Sequence, residues 1–217
     1  MIIVFEGIDG SGKSTQLKLL KNKLESNGKE VKVYKFPTHQ NSRIGQMIDK
    51  YLRGEMGSIK QIPPELPSLL YAADRYQFKY LFEKERKDYI ILLDRYYISN
   101  LAHQGGKFKG KEREEMLAWL ENLDARMPQP DLVLIFDISP EKAIELIERK
   151  KRREYLNEKK KDIHEEDIEH LRNTRETYLE LASMKDWPVI NLLDEKGKIK
   201  SIEEIADEVW KIVSAYL

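Results

Sequence analysis

Cysteine is absent from the 217-residue sequence. Its absence excludes a disulfide framework, cysteine-based zinc sites and a thiol nucleophile. Long apolar runs are absent too, since Ile90–Leu93 and Leu132–Phe136 are far shorter than the roughly 20 residues that cross a bilayer. The first residues lack the basic region of a signal peptide, so none is predicted. We therefore expect a cytoplasmic protein with no membrane partner.

An excess of charge of either sign is also missing, because 38 basic and 38 acidic residues leave a formal net charge of zero. A balanced chain has no overall attraction for nucleic acid, and no such partner is predicted. Histidine is scarce: His39, His103, His164 and His170 lie in separate segments without the spacing of metal ligands. The length predicts a single domain over residues 1–217, since a domain typically has about 150 residues.

Short apolar runs alternate along the chain with stretches of helical periodicity. Five runs are predicted to be strands: Ile2–Phe5, Val31–Phe36, Tyr89–Leu93, Leu132–Phe136 and Val189–Leu192. Strands that are apolar throughout and separated by helices are typical of a parallel sheet covered on both faces. The predicted fold class is α/β, with a five-stranded parallel sheet flanked by helices in three α/β/α layers.

Two segments between the predicted strands have a distinct character. A helix is predicted to begin at Pro63-Pro64, because proline is favourable in a first helical turn. Its apolar residues at helical spacing are Leu66, Leu69, Leu70, Ala73 and Tyr80. The segment at about 149–162 is rich in lysine and arginine and poor in apolar residues, and we interpret it as a lid within the single domain.

A glycine-rich loop joins the first predicted strand to the first predicted helix. The residues Gly7-Ile8-Asp9-Gly10-Ser11-Gly12-Lys13-Ser14 match G-x-x-x-x-G-K-[ST] without exception. Backbone N–H groups of such a loop surround a polyphosphate, and the N-terminus of the following helix adds favourable potential. Lys13 would contact the β- and γ-phosphates, and Ser14 would ligate Mg²⁺. The pattern predicts a P-loop NTPase with these ATP-binding residues: Gly7, Asp9, Gly10, Ser11, Gly12, Lys13, Ser14 and Thr15.

Acidic residues end two of the predicted buried strands, where open α/β sheets bind their ligands. Asp94 ends the third strand and Asp137 the fourth, and either carboxylate could hold Mg²⁺ or its water shell. Asp94 is favoured because Arg95 follows it, which gives a metal-binding acid and a phosphate-binding base at one strand end. Asp137 and the Pro140 that follows it also look like a turn that leads into a helix.

A P-loop is typical of enzymes that transfer a phosphoryl group. Transfer to a phosphate acceptor needs charge neutralisation and alignment more than proton transfer, so arginines are candidates for catalytic residues. The planar guanidinium suits that task through bidentate contacts with phosphate. The candidates are Arg43, Arg75, Arg95, Arg149, Arg152 and Arg153. A solvated surface role stays open for most of them. Arg95 is the exception, because it follows a buried strand.

Several segments, in order and over nearly the whole chain, together resemble the thymidylate kinase family. They are Phe5–Thr15, Phe36-Pro37-Thr38, Leu69–Arg75, Asp94–Ser99, Ala102–Gly105 and the stretch from Asn173 to Ala182. The resemblance implies an enzyme that phosphorylates thymidine monophosphate (dTMP) to the diphosphate (dTDP), with ATP as phosphoryl donor and Mg²⁺ as cofactor. It also implies a homodimer packed through helices and a cis peptide bond before Pro37.

The resemblance gives roles to residues near the sugar and the acceptor phosphate. Asp9 would hydrogen-bond the 3′-hydroxyl of the deoxyribose, and Arg95, together with Arg43, would hold the acceptor phosphate. His103 departs from the family, which usually has tyrosine or phenylalanine beside the sugar. The histidine ring could disfavour a 2′-hydroxyl in the same way, or it could be a loop residue bonded to backbone.

Further implied roles concern the base. Tyr71 would stack on thymine and Phe36 would form another wall, although Tyr71 at helical spacing could equally be a core residue. Arg75 lies one helical turn after Tyr71 and would donate to a thymine carbonyl. Gln104 would lie near the base edge.

Members of the family place a catalytic arginine either in the P-loop or in the lid. Here Gly10 and Ser11 leave no arginine in the loop, so the resemblance implies that the lid supplies it. We predict Arg153 on the transferring phosphate and Arg149 near adenine. The predicted catalytic residues are Lys13, Arg95 and Arg153.

Two alternatives to a dTMP kinase stay open at this point. One is a kinase for another nucleoside monophosphate, such as dUMP or UMP, and it is motivated by His103. The other is a P-loop ATPase or nucleotide switch without a monophosphate acceptor, which would leave the pairing of Tyr71 with Arg75 without a purpose.

Overall fold

A computed structural model of the protein describes residues 1–57, 61–153 and 168–217, the side chains of residues 150–153 excepted. Its strands are β1 (Ile2–Glu6), β2 (Val31–Lys35), β3 (Ile90–Asp94), β4 (Leu132–Asp137) and β5 (Val189–Asn191). They form a five-stranded sheet in the order β2-β3-β1-β4-β5, in which every pairing is parallel. The predicted α/β fold with five parallel strands is confirmed.

The three middle strands form the centre of the core. Every residue of β1, β3 and β4 is buried, whereas β2 at one edge of the sheet is partly exposed. A sheet whose strands are apolar on both faces must be shielded from water on both faces, and helices packed on each side provide that shielding. The rings of Phe5 in β1 and Phe136 in β4 stack with their centroids 5.5 Å apart.

Helices connect the strands. In the described residues they are α1 (Lys13–Ser26), α2 (Arg43–Leu52), α3 (Glu65–Tyr76), α4 (Lys79–Glu85), α5 (Tyr97–Asn100), α6 (Gly110–Asp124), α7 (Pro140–Arg153), α8 (Ile168–Lys185) and α9 (Ile202–Ser214). A π-helical segment, Leu101–Gly105, directly follows α5, and the sequence pattern did not predict it. Across the described ranges, no helix combines the length and the apolar character that crossing a membrane requires.

The helix predicted from Pro63 is divided in the structure. α3 ends at Tyr76 and Tyr80 lies on α4, so the prediction of one helix carrying both stretches is wrong. The break turns Phe78 towards the core, where its ring meets the ring of Phe36 edge-on with centroids 5.4 Å apart. Tyr80 is left 79% exposed.

Three apolar residues of α3 face outward. Leu66 and Leu69 are 42% and 49% exposed, and Ala73 on the same side of the helix is exposed as well. Met47, on the neighbouring helix α2, is 46% exposed. Exposed apolar patches of this kind commonly mark interaction sites. We call these four residues the α2/α3 apolar face.

The register of the sheet brings the polar strand ends to one edge. Phe5 pairs with Asp94 across β1 and β3, and Glu6 pairs with Ile135 across β1 and β4. The carboxyl ends of the three central strands are therefore level, and the loops that follow them emerge side by side. Ligands of open α/β sheets bind at this edge.

Candidate active site

The loop between β1 and α1 has the conformation that its glycines permit. Gly10 and Gly12 have φ angles of 84° and 76°, a left-handed region that side chains disfavour. A Cβ atom on Gly10 would lie 2.5 Å from the backbone oxygen of Ala143 in α7. The loop therefore lies directly against α7, and a side chain at this position would separate them. The predicted order of strand, glycine-rich loop and helix is confirmed.

Lys13 is folded back on this loop. Its Nζ donates to the carbonyl oxygens of Gly7 and Ile8 at 2.9 and 2.8 Å and to Ser11 Oγ at 3.2 Å. Burial, with the nearby charge of Arg95, lowers the pKa of Lys13 to about 8. Phosphate oxygens would be stronger acceptors for this ammonium than the carbonyl oxygens are.

Ser14 and Asp94 form the candidate metal site. Ser14 Oγ, in the first turn of α1, donates to Asp94 Oδ2 at 2.7 Å, and Lys35 Nζ lies 3.7 Å from the same oxygen. Hydroxyl and carboxylate oxygens are the ligands that Mg²⁺ prefers, and Mg²⁺ in nucleotide sites takes its other ligands from phosphate and water. Consistent with that, no cluster of three or more acidic or histidine side chains that could hold a metal occurs among the described residues.

Asp137, the rival for the metal-binding role, has a different partner. Arg175 of α8 donates to both of its carboxylate oxygens, from Nε at 2.6 Å and from Nη2 at 2.9 Å. The structure thus joins Asp94 to the P-loop helix and Asp137 to α8. The turn predicted after Asp137 is present, since α7 begins at Pro140.

Arg95 lies beside the P-loop with a left-handed φ of 71°, a conformation that costs a non-glycine residue about 1–2 kcal/mol. Its Nη2 donates to Asp9 Oδ1 of the loop at 2.8 Å. Its Nη1 donates to Ser99 Oγ at 3.1 Å and to the Tyr178 hydroxyl at 3.3 Å. Burial acts to raise the pKa of Asp9, but the charges of Arg95 and Lys13 outweigh it and hold that pKa well below its usual range.

His103 is part of the same cluster. Its Nε2 lies 3.3 Å from Arg95 Nη1, and its Nδ1 lies 3.3 Å from Nε2 of His170 in α8. Because a guanidinium only donates, His103 can accept from Arg95 only in the tautomer that has its proton on Nδ1, which would then donate to His170. The fold thus brings together two histidines from separate segments of the sequence, because the π-helical segment packs against α8.

A second group of residues lies along α3 and the π-helical segment. Arg75 is 2% exposed and donates to both oxygens of Asp124, from Nε at 2.9 Å and from Nη2 at 2.5 Å. Nη1 and the second hydrogen of Nη2 are the donors left for a ligand. The ring of Tyr71 meets that of Tyr51 edge-on with centroids 6.5 Å apart.

Two carboxamides in this group are incompletely paired. Gln104 is fully buried, and neither its Oε1 nor its Nε2 has a hydrogen-bond partner among the described residues. Asn100, one turn earlier, donates to Ser68 O at 3.1 Å, but its buried Oδ1 has no partner there. Buried unpaired amides are costly, and a ligand that supplies the missing partners removes that cost.

The loop after β2 is fixed by an acid that the sequence analysis did not single out. Asp74 of α3 is fully buried and accepts from the backbone N–H of Thr38 at 2.8 Å and from its Oγ1 at 2.6 Å. The Phe36-Pro37 bond is cis, as predicted. Phe36 itself is 3% exposed, so most of its ring belongs to the aromatic core.

Comparison with known proteins identifies the family. A family model described as Thymidylate kinase matches residues 5–205. The chain is 31% identical over 217 residues to a probable thymidylate kinase from Methanobrevibacter smithii, covering all of this chain and 96% of that protein. It is 34% identical over 218 residues to one from Sulfolobus acidocaldarius, covering all of this chain and 97% of the relative.

The chain belongs to the thymidylate kinase family. A solved structure of thymidylate kinase from Candida albicans has the same fold, with a TM-score of 0.75 at 22% identity over 99% of this chain and 91% of that one. The family membership agrees with the resemblance carried by the P-loop and the segments after it.

The predicted site residues of this thymidylate kinase family member fall into four sets. One set, described above, is the group at α3 and the π-helical segment together with Phe36. The P-loop, Asp94, Arg95 and His103 converge at the carboxyl edge of the sheet. Arg43 begins α2 and is exposed, and Arg149 of α7 is also exposed and pairs with Glu145 at 2.5 Å. Most of the predicted lid, including the side chain of Arg153, lies outside the described residues.

Sequence reasoning missed several residues that organise this family member's site. They are Glu6, Asp74, Asn100, Asp124 and Tyr178. One signal was present, because Glu6 is a charged residue that ends an otherwise apolar buried strand. The others become visible only when the helices pack.

Proposed function

We propose that this protein transfers the γ-phosphoryl group of ATP to dTMP, giving ADP and dTDP. One observation carries the proposal: Arg95 donates to the P-loop residue Asp9 at 2.8 Å, so its guanidinium lies immediately beside the loop. An acceptor phosphate would use a second cation at this position, beside the P-loop. Membership of the thymidylate kinase family supports the identity of the acceptor.

The donor side would be built from the P-loop and the end of β3. Its backbone N–H groups would surround the phosphates of ATP, with Lys13 on the β- and γ-phosphates and Thr15 in the first turn of α1. Ser14 and Asp94, 2.7 Å apart, would hold Mg²⁺ directly or through its water shell. The ion would neutralise charge on the transferring phosphate.

The acceptor side would be built around Arg95. With Arg43 it would align the dTMP phosphate, and Asp9 would accept from the 3′-hydroxyl. His103 would lie beside the sugar. Transfer would then depend on two anions held in line by fixed cations, with little proton transfer.

The base would lie between α3 and the π-helical segment. Tyr71 would stack on thymine with Phe36 at the pocket wall, and Arg75 would donate to a carbonyl through Nη1. The unpaired amide of Gln104, with the free oxygen of Asn100, supports an edge that hydrogen-bonds a base.

We also propose one kinase domain over residues 1–217, with a lid at about 149–162 that supplies Arg153 to the transferring phosphate and Arg149 near adenine. A homodimer is proposed through the α2/α3 apolar face. Its support is the outward exposure of Leu66 and Leu69, since exposed apolar side chains on one helix face commonly mark an interaction site.

A coupled assay with MgATP and a panel of nucleoside monophosphates tests the activity. We expect dTMP to be the preferred acceptor and Lys13→Ala to lower kcat/KM by orders of magnitude while the circular dichroism spectrum stays unchanged. Equal turnover of dTMP and UMP would favour the broader kinase, and ATP hydrolysis unaffected by any monophosphate would favour the switch. Omitting Mg²⁺ should abolish transfer.

A further inference from the structure

Glu6 is a fully buried carboxylate to which the proposed reaction assigns no part. Its Oε1 accepts from the backbone N–H groups of Tyr96 at 2.7 Å and Ser99 at 3.1 Å. Its Oε2 accepts from Ser99 Oγ at 2.6 Å and from the Tyr178 hydroxyl at 2.8 Å. Four donors therefore surround an acceptor-only group in the end of β1, directly before the P-loop.

The same two hydroxyls face Arg95. A guanidinium nitrogen can only donate, so the oxygens of Ser99 and Tyr178 accept from Arg95 Nη1. Each hydroxyl has one proton, and Glu6 takes both of them. The carboxylate thus fixes the direction of both hydrogen bonds, and it leaves lone pairs on the two hydroxyls for Arg95.

These contacts decide which edge of Arg95 is available to a ligand. Nη1 is surrounded by acceptors of the protein, and one hydrogen of Nη2 is used by Asp9. No described residue accepts from Nε. Nε and the second hydrogen of Nη2 remain for contact with phosphate, and these two donors are the free edge of Arg95.

We propose that Glu6 is a positioning residue, which acts through the hydroxyls of Ser99 and Tyr178 to hold Arg95 with its free edge towards the acceptor phosphate. The inference rests on the proposed function, since it assumes that Arg95 binds that phosphate. Burial raises the pKa of Glu6, and the charge of Arg95 and the two hydroxyl hydrogen bonds offset part of that rise.

The isosteric substitution Glu6→Gln reverses the polarity of the network. The backbone N–H groups of Tyr96 and Ser99 can only donate, so the amide oxygen must face them and the NH₂ group must face the hydroxyls. Both hydroxyls then accept from the amide. Because Ser99 Oγ and the Tyr178 hydroxyl lie 3.1 Å apart, one of their protons can be shared between them, and the other turns towards Arg95 Nη1. At least one attractive contact with Arg95 becomes repulsive without a change in side-chain volume.

Calorimetric binding of dTMP and of thymidine, which lacks the phosphate, tests the inference. We expect Glu6→Gln to weaken dTMP binding by about tenfold, the effect of losing one hydrogen bond to a charged group. Thymidine binding should stay within about twofold, because that ligand makes no contact with Arg95. Glu85→Gln is the matched control: Glu85 accepts from the Tyr34 hydroxyl at 2.6 Å but has no link to Arg95, so both affinities should be unchanged.

Two further variants keep the test decisive if Glu6→Gln folds poorly. Tyr178→Phe retains the carboxylate and removes one acceptor, so it should weaken dTMP binding selectively. The double variant Ser99→Ala/Tyr178→Phe removes the two hydroxyls through which Glu6 would act on Arg95. Adding Glu6→Gln to this variant should therefore change the logarithm of the dTMP affinity by less than about half as much as Glu6→Gln changes it in the wild-type protein.

The outcomes separate the inference from the proposed function. Equal losses for dTMP and thymidine in Glu6→Gln would mean a general structural role and would overturn the positioning role. Unchanged dTMP binding in both Glu6→Gln and Tyr178→Phe would overturn it as well. Failure of the wild-type protein to bind dTMP would instead overturn the proposed function.

Discussion

The buried ion pair between Arg75 and Asp124 offers a quantitative test of the structure. Their side chains are 3% and 1% exposed, and two hydrogen bonds of 2.9 and 2.5 Å join them. Asp124→Leu removes the acid and leaves the guanidinium buried without a counter-charge. Arg75→Met/Asp124→Leu removes both charges and keeps apolar side chains of similar length in their place.

The magnitude follows from the burial of both groups. Removing one partner of a buried pair typically costs about 3–5 kcal/mol, whereas replacing both by apolar residues is close to neutral. Against a total stability of about 5–15 kcal/mol, the single substitution is severe. At about 2–4 °C per kcal/mol for a chain of this size, it should lower the Tm by about 6–20 °C.

Urea denaturation followed by circular dichroism, together with dTMP calorimetry, separates stability from function. Asp124→Leu should be strongly destabilised, and Arg75→Met/Asp124→Leu should recover most of the loss. The double variant should nevertheless bind dTMP weakly, because the proposed donor to the thymine carbonyl is gone. Equal instability of the single and double variants would refute the view that an unpaired buried charge causes the loss.

Three other predictions address pH, assembly and the lid. Burial lowers the pKa of Lys107 from the ordinary 10.5 to about 8, so the charge of Lys107 lowers the stability of the fold below pH 8, and this cost fades as the pH rises towards 10.5. We therefore expect Lys107→Met to be more stable than wild type in urea at pH 7, by a margin that narrows above pH 8. A margin that does not change with pH would contradict the burial of the charge. If the proposed homodimer forms through the α2/α3 apolar face, Leu69→Glu should be a monomer in sedimentation velocity. The control Leu19→Glu, on the exposed side of α1, should stay dimeric. A dimeric Leu69→Glu would place the interface on another surface. Arg153→Ala should lower kcat more than it raises KM, and an unchanged single-turnover rate would assign the catalytic arginine to another residue.

The strands and the P-loop were predictable because their signals are local. An apolar run bounded by polar residues identifies a buried strand, and all five predicted strands are present, each to within one residue at either end. The glycine pattern before Lys13 dictates its own backbone conformation. The pairing of Ser14 with Asp94 also followed, because parallel strands end at the same edge of a sheet.

Helix ends and irregular helices were less predictable, because tertiary packing decides them. The apolar spacing from Leu66 to Tyr80 fits one continuous helix, yet the chain breaks so that Phe78 enters the aromatic core. The π-helical segment Leu101–Gly105 has no periodicity of its own that would reveal it. In both places, burial of side chains outweighs local preference.

The sequence by itself determined the fold class, the phosphate loop and the family, because each depends on residues that are close together in the chain. Only the tertiary structure decided which charges meet: Arg75 with Asp124, Asp137 with Arg175, and Glu6 with Ser99 and Tyr178. These partners are 38 to 172 residues apart, the Glu6–Tyr178 pair being the most distant. No local pattern records such a pairing, because a buried charge selects its partner by where the packed helices and strand ends bring one within reach.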